Sequence, residues 1–237
     1  MKSQLSLSLS HDLRYSSALF LEHAGTVEPV KMVFALAQQR GFSLVYIAGG
    51  CGTGKTHLGV YLVGKLRREQ ARDARFVSSE DLRSWYSEEL PAHPFQGGEV
   101  LIIDDADRVL EGLDGEANVG IFVDIVERLA NADGMVVLLG ASKPEKLRCG
   151  SHAKSRIEAG LHLLLGDPKE EDLDTLLDRM TKQRGLQLKE SKRSYLLRRV
   201  TRTIPALVEC LNRLEEGGDW SDSSTTFTAL SGGGADQ

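Results

Sequence analysis

Eight consecutive residues, Gly49-Gly50-Cys51-Gly52-Thr53-Gly54-Lys55-Thr56, carry the spacing G-x-x-x-x-G-K-[ST] of a phosphate-binding loop. Glycines let backbone N–H groups close around phosphate oxygens, and a helix opening at the loop adds its positive N-terminal end. Lys55 is the point charge for β- and γ-phosphates, and Thr56 offers a hydroxyl to Mg²⁺. His57 follows directly and reads as packing behind the loop within the same nucleotide-binding stretch, not as a group that performs chemistry. A second set of chemistry-bearing residues follows the apolar run Val100-Leu101-Ile102-Ile103, which ends in Asp104-Asp105. Ligands in open α/β sheets bind beyond the carboxyl ends of the strands, where this acid pair and the loop would both lie. Asp107, just beyond, reads as a solvated acid.

Positioning these groups requires strands that feed them. Leu44–Ile47 leads into the loop, and Leu58, Tyr61, Leu62 and Leu66 recur at helical spacing after it. Arg75–Ser78, Val100–Ile103, Met135–Leu139 and Leu161–Leu165 read as further strands. Met135–Leu139 ends in the polar turn Gly140-Ala141-Ser142-Lys143-Pro144, and a short segment with Lys154 and Arg156 precedes the last strand. Before the loop, Pro29 fits the first turn of a helix running to Arg40, ended by Gly41; Ser79 fits the cap of another. Strands alternating with helices imply an α/β fold with a parallel sheet covered on both faces. Past Gly166-Asp167-Pro168 the pattern changes to helices alone. Leu173, Leu176, Leu177 and Met180 form one apolar face, Tyr195, Leu196 and Val200 a second, and Ile204, Leu207, Val208, Leu211 and Leu214 a third. The expected organisation is an N-terminal segment 1–23, a nucleotide-binding core 24–166, a helical lid 167–216 and a disordered tail 217–237. Phe20 and Leu21 are expected to anchor the N-terminal segment on the globular body, with Tyr15.

The chain has 237 residues, a net charge of −5 and 41% hydrophobic content, ordinary for a globular protein able to bury a sizeable core. The balance gives no global electrostatic reason for nucleic acid as main partner. No run approaches the ~20 apolar residues of a membrane span. Cys51, Cys149 and Cys210 are odd in number and outside any C-x-x-C, against a disulfide framework or zinc site. A cytoplasmic protein is expected.

The phosphate loop, the strand ending in Asp-Asp, the polar turn after Met135–Leu139, the arginine and the three-helix lid together resemble the AAA+ nucleotide-binding module. Gly-Gly-Cys-Gly-Thr-Gly-Lys-Thr-His-Leu, Leu-Ile-Ile-Asp-Asp and Lys-Ser-Arg-Ile-Glu-Ala-Gly-Leu look like the DnaA-type family of replication initiators. With Gln4-Leu5-Ser6-Leu7-Ser8-Leu9 in front, the chain is similar to the Hda group of short DnaA homologues. That group docks on the replicative sliding clamp and promotes hydrolysis of initiator-bound ATP. The resemblance covers roughly residues 1 to 216.

The resemblance implies ADP or ATP with Mg²⁺ as ligands, and the sliding clamp and the DnaA initiator as partners. Asp104 would hold Mg²⁺ through water, Asp105 would orient or deprotonate the attacking water, and Ser142 falls at the first sensor. Arg156 matches the arginine finger, which completes a neighbouring subunit's site and stabilises the transferring phosphoryl group. Glu209-Cys210-Leu211-Asn212-Arg213 matches a family helix in a register that places Pro205 where the second-sensor arginine belongs; Arg202 lies three residues earlier. Weak or absent turnover by the chain itself is expected. Gln4, Leu5, Leu7 and Leu9 form the docking peptide, unless that alternation is an edge strand of the chain's own sheet. Lys182 to Arg202 holds eight basic residues against one acid, Glu190, a solvated face or a weak DNA contact. Self-association is left open, and an autonomous helicase-loader-like ATPase or a DNA-binding AAA+ module are the alternatives.

Overall fold

The computed structural model describes residues 20–70, 72–82, 95–111, 116–199 and 203–215. Gln4 to Leu9, Tyr15, Arg202 and the segment from 217 onward lie outside the described residues. Among the described residues the elements run α1 (Val27–Ala37), β1 (Ser43–Ala48), α2 (Lys55–Glu69), β2 (Ala74–Val77), β3 (Val100–Ile103), α3 (Ala106–Glu111) and α4 (Glu116–Asn131). They continue with β4 (Met135–Gly140), α5 (Ser151–Glu158), β5 (Leu161–Leu164), α6 (Glu170–Gln183), α7 (Glu190–Arg199) and α8 (Ile204–Glu215).

The five strands pair in the order β2-β3-β4-β1-β5, and every pairing is parallel. Side chains in a strand point alternately to opposite faces; both faces of the inner strands β1, β3 and β4 are buried, whereas the edge strand β5 leaves His162 and Leu164 exposed, so coverage of both faces, expected for the whole sheet, fails at that edge. Leu44, Tyr46, Leu101, Ile103, Val136 and Leu138 face α3, α4 and α5 in one core. Val45, Ile47, Val100, Ile102, Val137 and Leu139 face α1 and α2 in the other. That double burial is why the strands read as continuous apolar runs.

The lid helices α6, α7 and α8 enclose a third core of Leu173, Leu176, Leu177, Leu196, Leu207, Cys210 and Leu211. Residues 20 to 25 strap this lid to the sheet domain. Phe20 packs on the α1–α2 core and stacks on Tyr61 with centroids 4.5 Å apart, while Leu21 packs on the lid. The Phe20 carbonyl accepts from Arg179 Nη1 on α6 at 2.8 Å, and Ala24 N–H donates to Asp172 Oδ2 at 3.2 Å. Gly25 and Gly166 pass so closely that a Cβ on Gly25 would overlap the Gly166 carbonyl.

Two helix ends differ from expectation. Helix α1 stops at Ala37, short of Arg40, and Arg72 donates to the Ala37 carbonyl freed there. Ser78, not Ser79, caps the helical residues 79–82: Ser78 Oγ accepts from Asp81 N–H at 3.1 Å, and Ser78 N–H donates to Asp81 Oδ2 at 3.3 Å, a reciprocal capping box.

Tyr46 is fully buried in β1, so its hydroxyl needs a partner. It donates to the Ser142 carbonyl at 3.0 Å, passing over Gly140, where any Cβ would collide with the phenol. Gly140→Ala should therefore cost about 1–3 kcal/mol by overpacking, read by urea unfolding. Combined with Tyr46→Phe, which removes the colliding oxygen, the loss should be smaller than the sum of the two single losses.

Candidate functional site

Sheet pairing continues past the strand ends and sets the loop in place. Gly49 N–H donates to the Gly140 carbonyl at 2.9 Å, and Leu165 N–H to the Ala48 carbonyl at 2.7 Å. The chain then turns through Gly52 (φ +73°) and Gly54 (φ +92°), left-handed conformations that favour glycine, into α2. The first turn of α2 contains no acid, so its positive end is not neutralised by its own side chains. Thr53 Oγ1 donates to the Gly50 carbonyl at 2.9 Å, holding the loop closed. Lys55 Nζ donates to the Gly49 and Gly50 carbonyls at 2.7 and 2.8 Å, which keeps its ammonium over the loop. Cys51 is exposed at the loop's crest. His57 is half-buried behind it, and burial pushes its imidazole pKa down, favouring the neutral ring.

Asp104 leaves β3 beneath this loop. Its Oδ2 accepts from Thr56 Oγ1 at 2.6 Å, while Oδ1 is buried and has no hydrogen-bond partner among the described residues. Burial raises its pKa above the usual carboxylate range, opposed by the Thr56 hydroxyl and the Lys55 charge and reinforced by the charge of Asp105. An orphaned buried carboxylate oxygen beside a threonine hydroxyl fits a hard divalent cation, and Mg²⁺ takes one or two carboxylates plus phosphate oxygens. No cluster of three or more His, Cys, Asp or Glu that could hold a metal ion occurs among the described residues.

Asp105 sits at φ +49°, where the chain bends sharply from β3 into α3, and its side chain is exposed. Aspartate tolerates this conformation better than most residues do. Asp107 is more than a solvated acid: its Oδ2 accepts from Ala141 N–H at 3.0 Å. With the Tyr46–Ser142 bond, this fixes both residues of the turn after β4, so Ser142 stands at the same sheet end as the loop. Sequence reasoning missed Asp107 and Tyr46; the sole signal was a tyrosine inside an apolar strand.

Arg156 lies apart from this group. On α5, its Nη2 pairs with Glu127 of α4 at 2.5 Å and its Nη1 donates to the His152 carbonyl at 3.2 Å. Its side chain remains 30% exposed.

The lid reaches the loop through Pro205. A Cβ on Gly52 would overlap Pro205 Cγ and stand 3.2 Å from its Cβ, so the pyrrolidine ring rests on the loop at the start of α8. Proline is at ease in a first helical turn, where its missing N–H is not needed. Its ring presents no hydrogen-bond donor to the loop.

Residues 170–218 match the lid domain of the Hda family. The chain is similar to chromosomal replication initiator protein DnaA 1 of Protochlamydia amoebophila, at 22% identity over 198 residues, covering 79% of this chain and 43% of that protein. It is 24% identical over 185 residues to DnaA 2 of Chlamydia pneumoniae, covering 74% of this chain and 40% of that one. The chain thus spans less than half the length of these relatives. Among solved structures it resembles AMPPCP-bound DnaA from Aquifex aeolicus, with TM-score 0.67 and 18% identity over 87% of this chain and 66% of that one. Domain III of Thermotoga maritima DnaA superposes with TM-score 0.65 and 18% identity over 88% of this chain and 92% of that one. The chain thus shares the fold of DnaA domain III, a parallel sheet with a helical lid, and its residues 170–218 match the lid domain of the Hda family.

Proposed function

We propose that this protein binds ADP or ATP with Mg²⁺ and acts as a regulator of replication initiation, docking on the sliding clamp through Gln4, Leu5, Leu7 and Leu9. It presents Arg156 to a neighbouring ATP-loaded DnaA initiator and promotes hydrolysis there. The observation that carries this reading is Pro205 on Gly52. The groups that hold a nucleotide are assembled, yet the lid brings an apolar ring to the loop in place of a cation. Such a site suits holding a nucleotide better than turning it over, and leaves the catalytic contribution to be made in trans.

In this reading Gly49 to Thr56 cradles the phosphates, with His57 packed behind. Lys55 neutralises phosphate charge, Thr56 and Asp104 hold the cation, and Asp105 and Ser142 face the γ-phosphate region. The bound cation supplies charge neutralisation on the phosphates; this chain's residues bind, orient and exclude.

The Arg156–Glu127 pair is a partly exposed ion pair, a kind worth about 0–1 kcal/mol. A finger contributes about 10³-fold or more to phosphoryl transfer, equivalent to about 4 kcal/mol. The transition state of phosphoryl transfer at a neighbouring site therefore outweighs the loss of the Glu127 pair. The test is hydrolysis of initiator-bound ATP in the presence of DNA-loaded clamp. Arg156→Ala should lower stimulation about 10³-fold, whereas Glu127→Ala should retain at least the wild-type rate. Rapid ATP turnover by the isolated chain, abolished by Asp105→Asn, would instead establish the autonomous ATPase.

Pro205→Arg should supply the missing donor. A hydrogen bond to a charged group is worth about 1.5–3 kcal/mol, so affinity for ATP relative to ADP should rise about tenfold or more by calorimetry.

Asp104 carries a pKa raised by burial. The folded state thus binds its proton more tightly than the unfolded chain, so this group's stabilising effect is present below the unfolded pKa and is lost as pH rises through the folded one. Without nucleotide or Mg²⁺, Asp104→Asn should raise the melting temperature at neutral pH, and the gain should shrink on acidification. Mg²⁺-dependent nucleotide affinity should fall in the same variant.

A further inference from the structure

At the sheet end opposite the phosphate loop, α2 closes with Arg67 in its last turn and Gln70 as its cap residue, and the chain turns through Arg72 and Asp73 into β2. These side chains, with Gln96 and Gly97 from the turn that leads into β3, line a cleft of about 510 Å³. That volume lies in the range of small-molecule sites. Every lining side chain is polar or absent, which suits a charged occupant.

Two of these groups lack what burial demands. Arg72 is partly buried, and its Nε, Nη1 and Nη2 donate to the carbonyls of Gly98, Ala37 and Asp133, the last at 3.1 Å. No carboxylate pairs with it among the described residues. A guanidinium carries five N–H groups, so two remain, and the burial that pushes its pKa down is opposed by no neighbouring acid. Gln70 Nε2 is committed to the Phe34 carbonyl at 3.1 Å, which leaves Gln70 Oε1 buried without a donor. Arg67 adds an exposed cation and Asp73 an exposed carboxylate, neither in an ion pair among the described residues. A Cβ on Gly97 would meet nothing within 4 Å, so the mouth is open there.

We propose that this cleft binds a phosphate group that still carries a proton, as inorganic phosphate or as a phosphate monoester. The two arginines answer the anionic oxygens, which guanidinium meets with two parallel N–H bonds. Asp73 and Gln70 Oε1 accept and do not donate, so they favour an oxyanion that brings an O–H. Near neutral pH inorganic phosphate keeps at least one proton, and a monoester loses its second at about pH 6; sulfate carries none. A carboxylate likewise arrives without a donor. The space beyond one phosphate admits the organic part of an ester. Helix α2 begins at the phosphate loop and ends at this cleft, so the two sites lie at opposite ends of one helix.

The experiment is calorimetric titration of the full chain carrying Lys55→Ala, which disables phosphate binding at the loop. Phosphate should bind saturably near neutral pH, and sulfate about 10- to 150-fold more weakly, the value of one hydrogen bond to a charged group. Arg67→Glu, at an exposed helix position, should lower phosphate affinity about tenfold or more with an unchanged circular dichroism spectrum. Asp73→Asn, whose amide can donate, should bring sulfate level with phosphate. Arg72 is left in place because it fastens three carbonyls. A second series on the wild-type chain, with ADP and Mg²⁺ saturating the loop, should give the same order. Glycerol 1-phosphate beside inorganic phosphate separates the sources: tighter ester binding assigns a phosphorylated metabolite, and tighter binding of the free ion assigns phosphate itself. Absence of saturable phosphate binding in the Lys55→Ala chain would overturn the inference. So would affinity unmoved by Arg67→Glu, or sulfate bound as tightly as phosphate while Asp73 is present.

Discussion

The pairing of β1 with β4 on one side and β5 on the other is the constraint from which the rest follows. Both ladders run past the strands themselves, through Gly49 to Gly140 and Leu165 to Ala48, so the chain enters the phosphate loop already fixed on two sides. The same pairing brings the turn after β4 alongside the loop, and β4 in turn aligns β3, which ends in Asp104. Four segments distant in sequence thus meet at one sheet end without any of them choosing its position independently. The inner strands β1, β3 and β4, buried on both faces, cannot slip by one residue without moving every side chain to the opposite core. Site geometry is therefore a consequence of hydrophobic register.

On that frame the loop's local chemistry is a balance of unmet demands. Lys55 finds two loop carbonyls, Thr56 finds Asp104, and Thr53 finds Gly50; one oxygen of Asp104 finds nothing. A buried acceptor without a partner costs about 1–3 kcal/mol, more if charged, and the rise in its pKa expresses the same cost. Within this group of loop residues, the Asp104 oxygen is the buried acceptor left unmet, and it marks where binding would recover free energy. Asp105 bears a related cost in its left-handed backbone.

Much of this was legible before any coordinates. The apolar strand runs were visible because double burial removes alternation, and the lid helices showed because each needs an apolar stripe. The phosphate loop was legible because its residue types are dictated by backbone geometry. Helix α3 was not, since six residues after Asp105 carry too little period to separate helix from turn. Nor were the Arg179–Phe20, Asp107–Ala141 and Tyr46–Ser142 bonds. Each joins a side chain to a backbone group far along the chain, and such pairs leave no spacing to read. The ion pairs that divide the basic lid stretch, Arg184 with Glu215 of α8 and Arg193 with Asp174 and Asp178 of α6, were hidden for the same reason.

Those long-range bonds bear on how lid and core can communicate. Phe20 belongs to the core's packing and Leu21 to the lid's, and Arg179 grips the carbonyl between them. Glu22 is fixed on the core side by Tyr61 and Lys65. Among the described residues the lid touches the core through this strap and through Pro205 on Gly52. A nucleotide that widened the loop would press on Pro205, and α8 shares its core with α6, which Arg179 ties to the strap. At the strap, the close Gly25–Gly166 passage leaves no room for a side chain between the two backbones. With a proline ring on Gly52, the lid meets the loop by contact alone. An arginine would pull the lid toward phosphate by charge, whereas a proline ring transmits only contact.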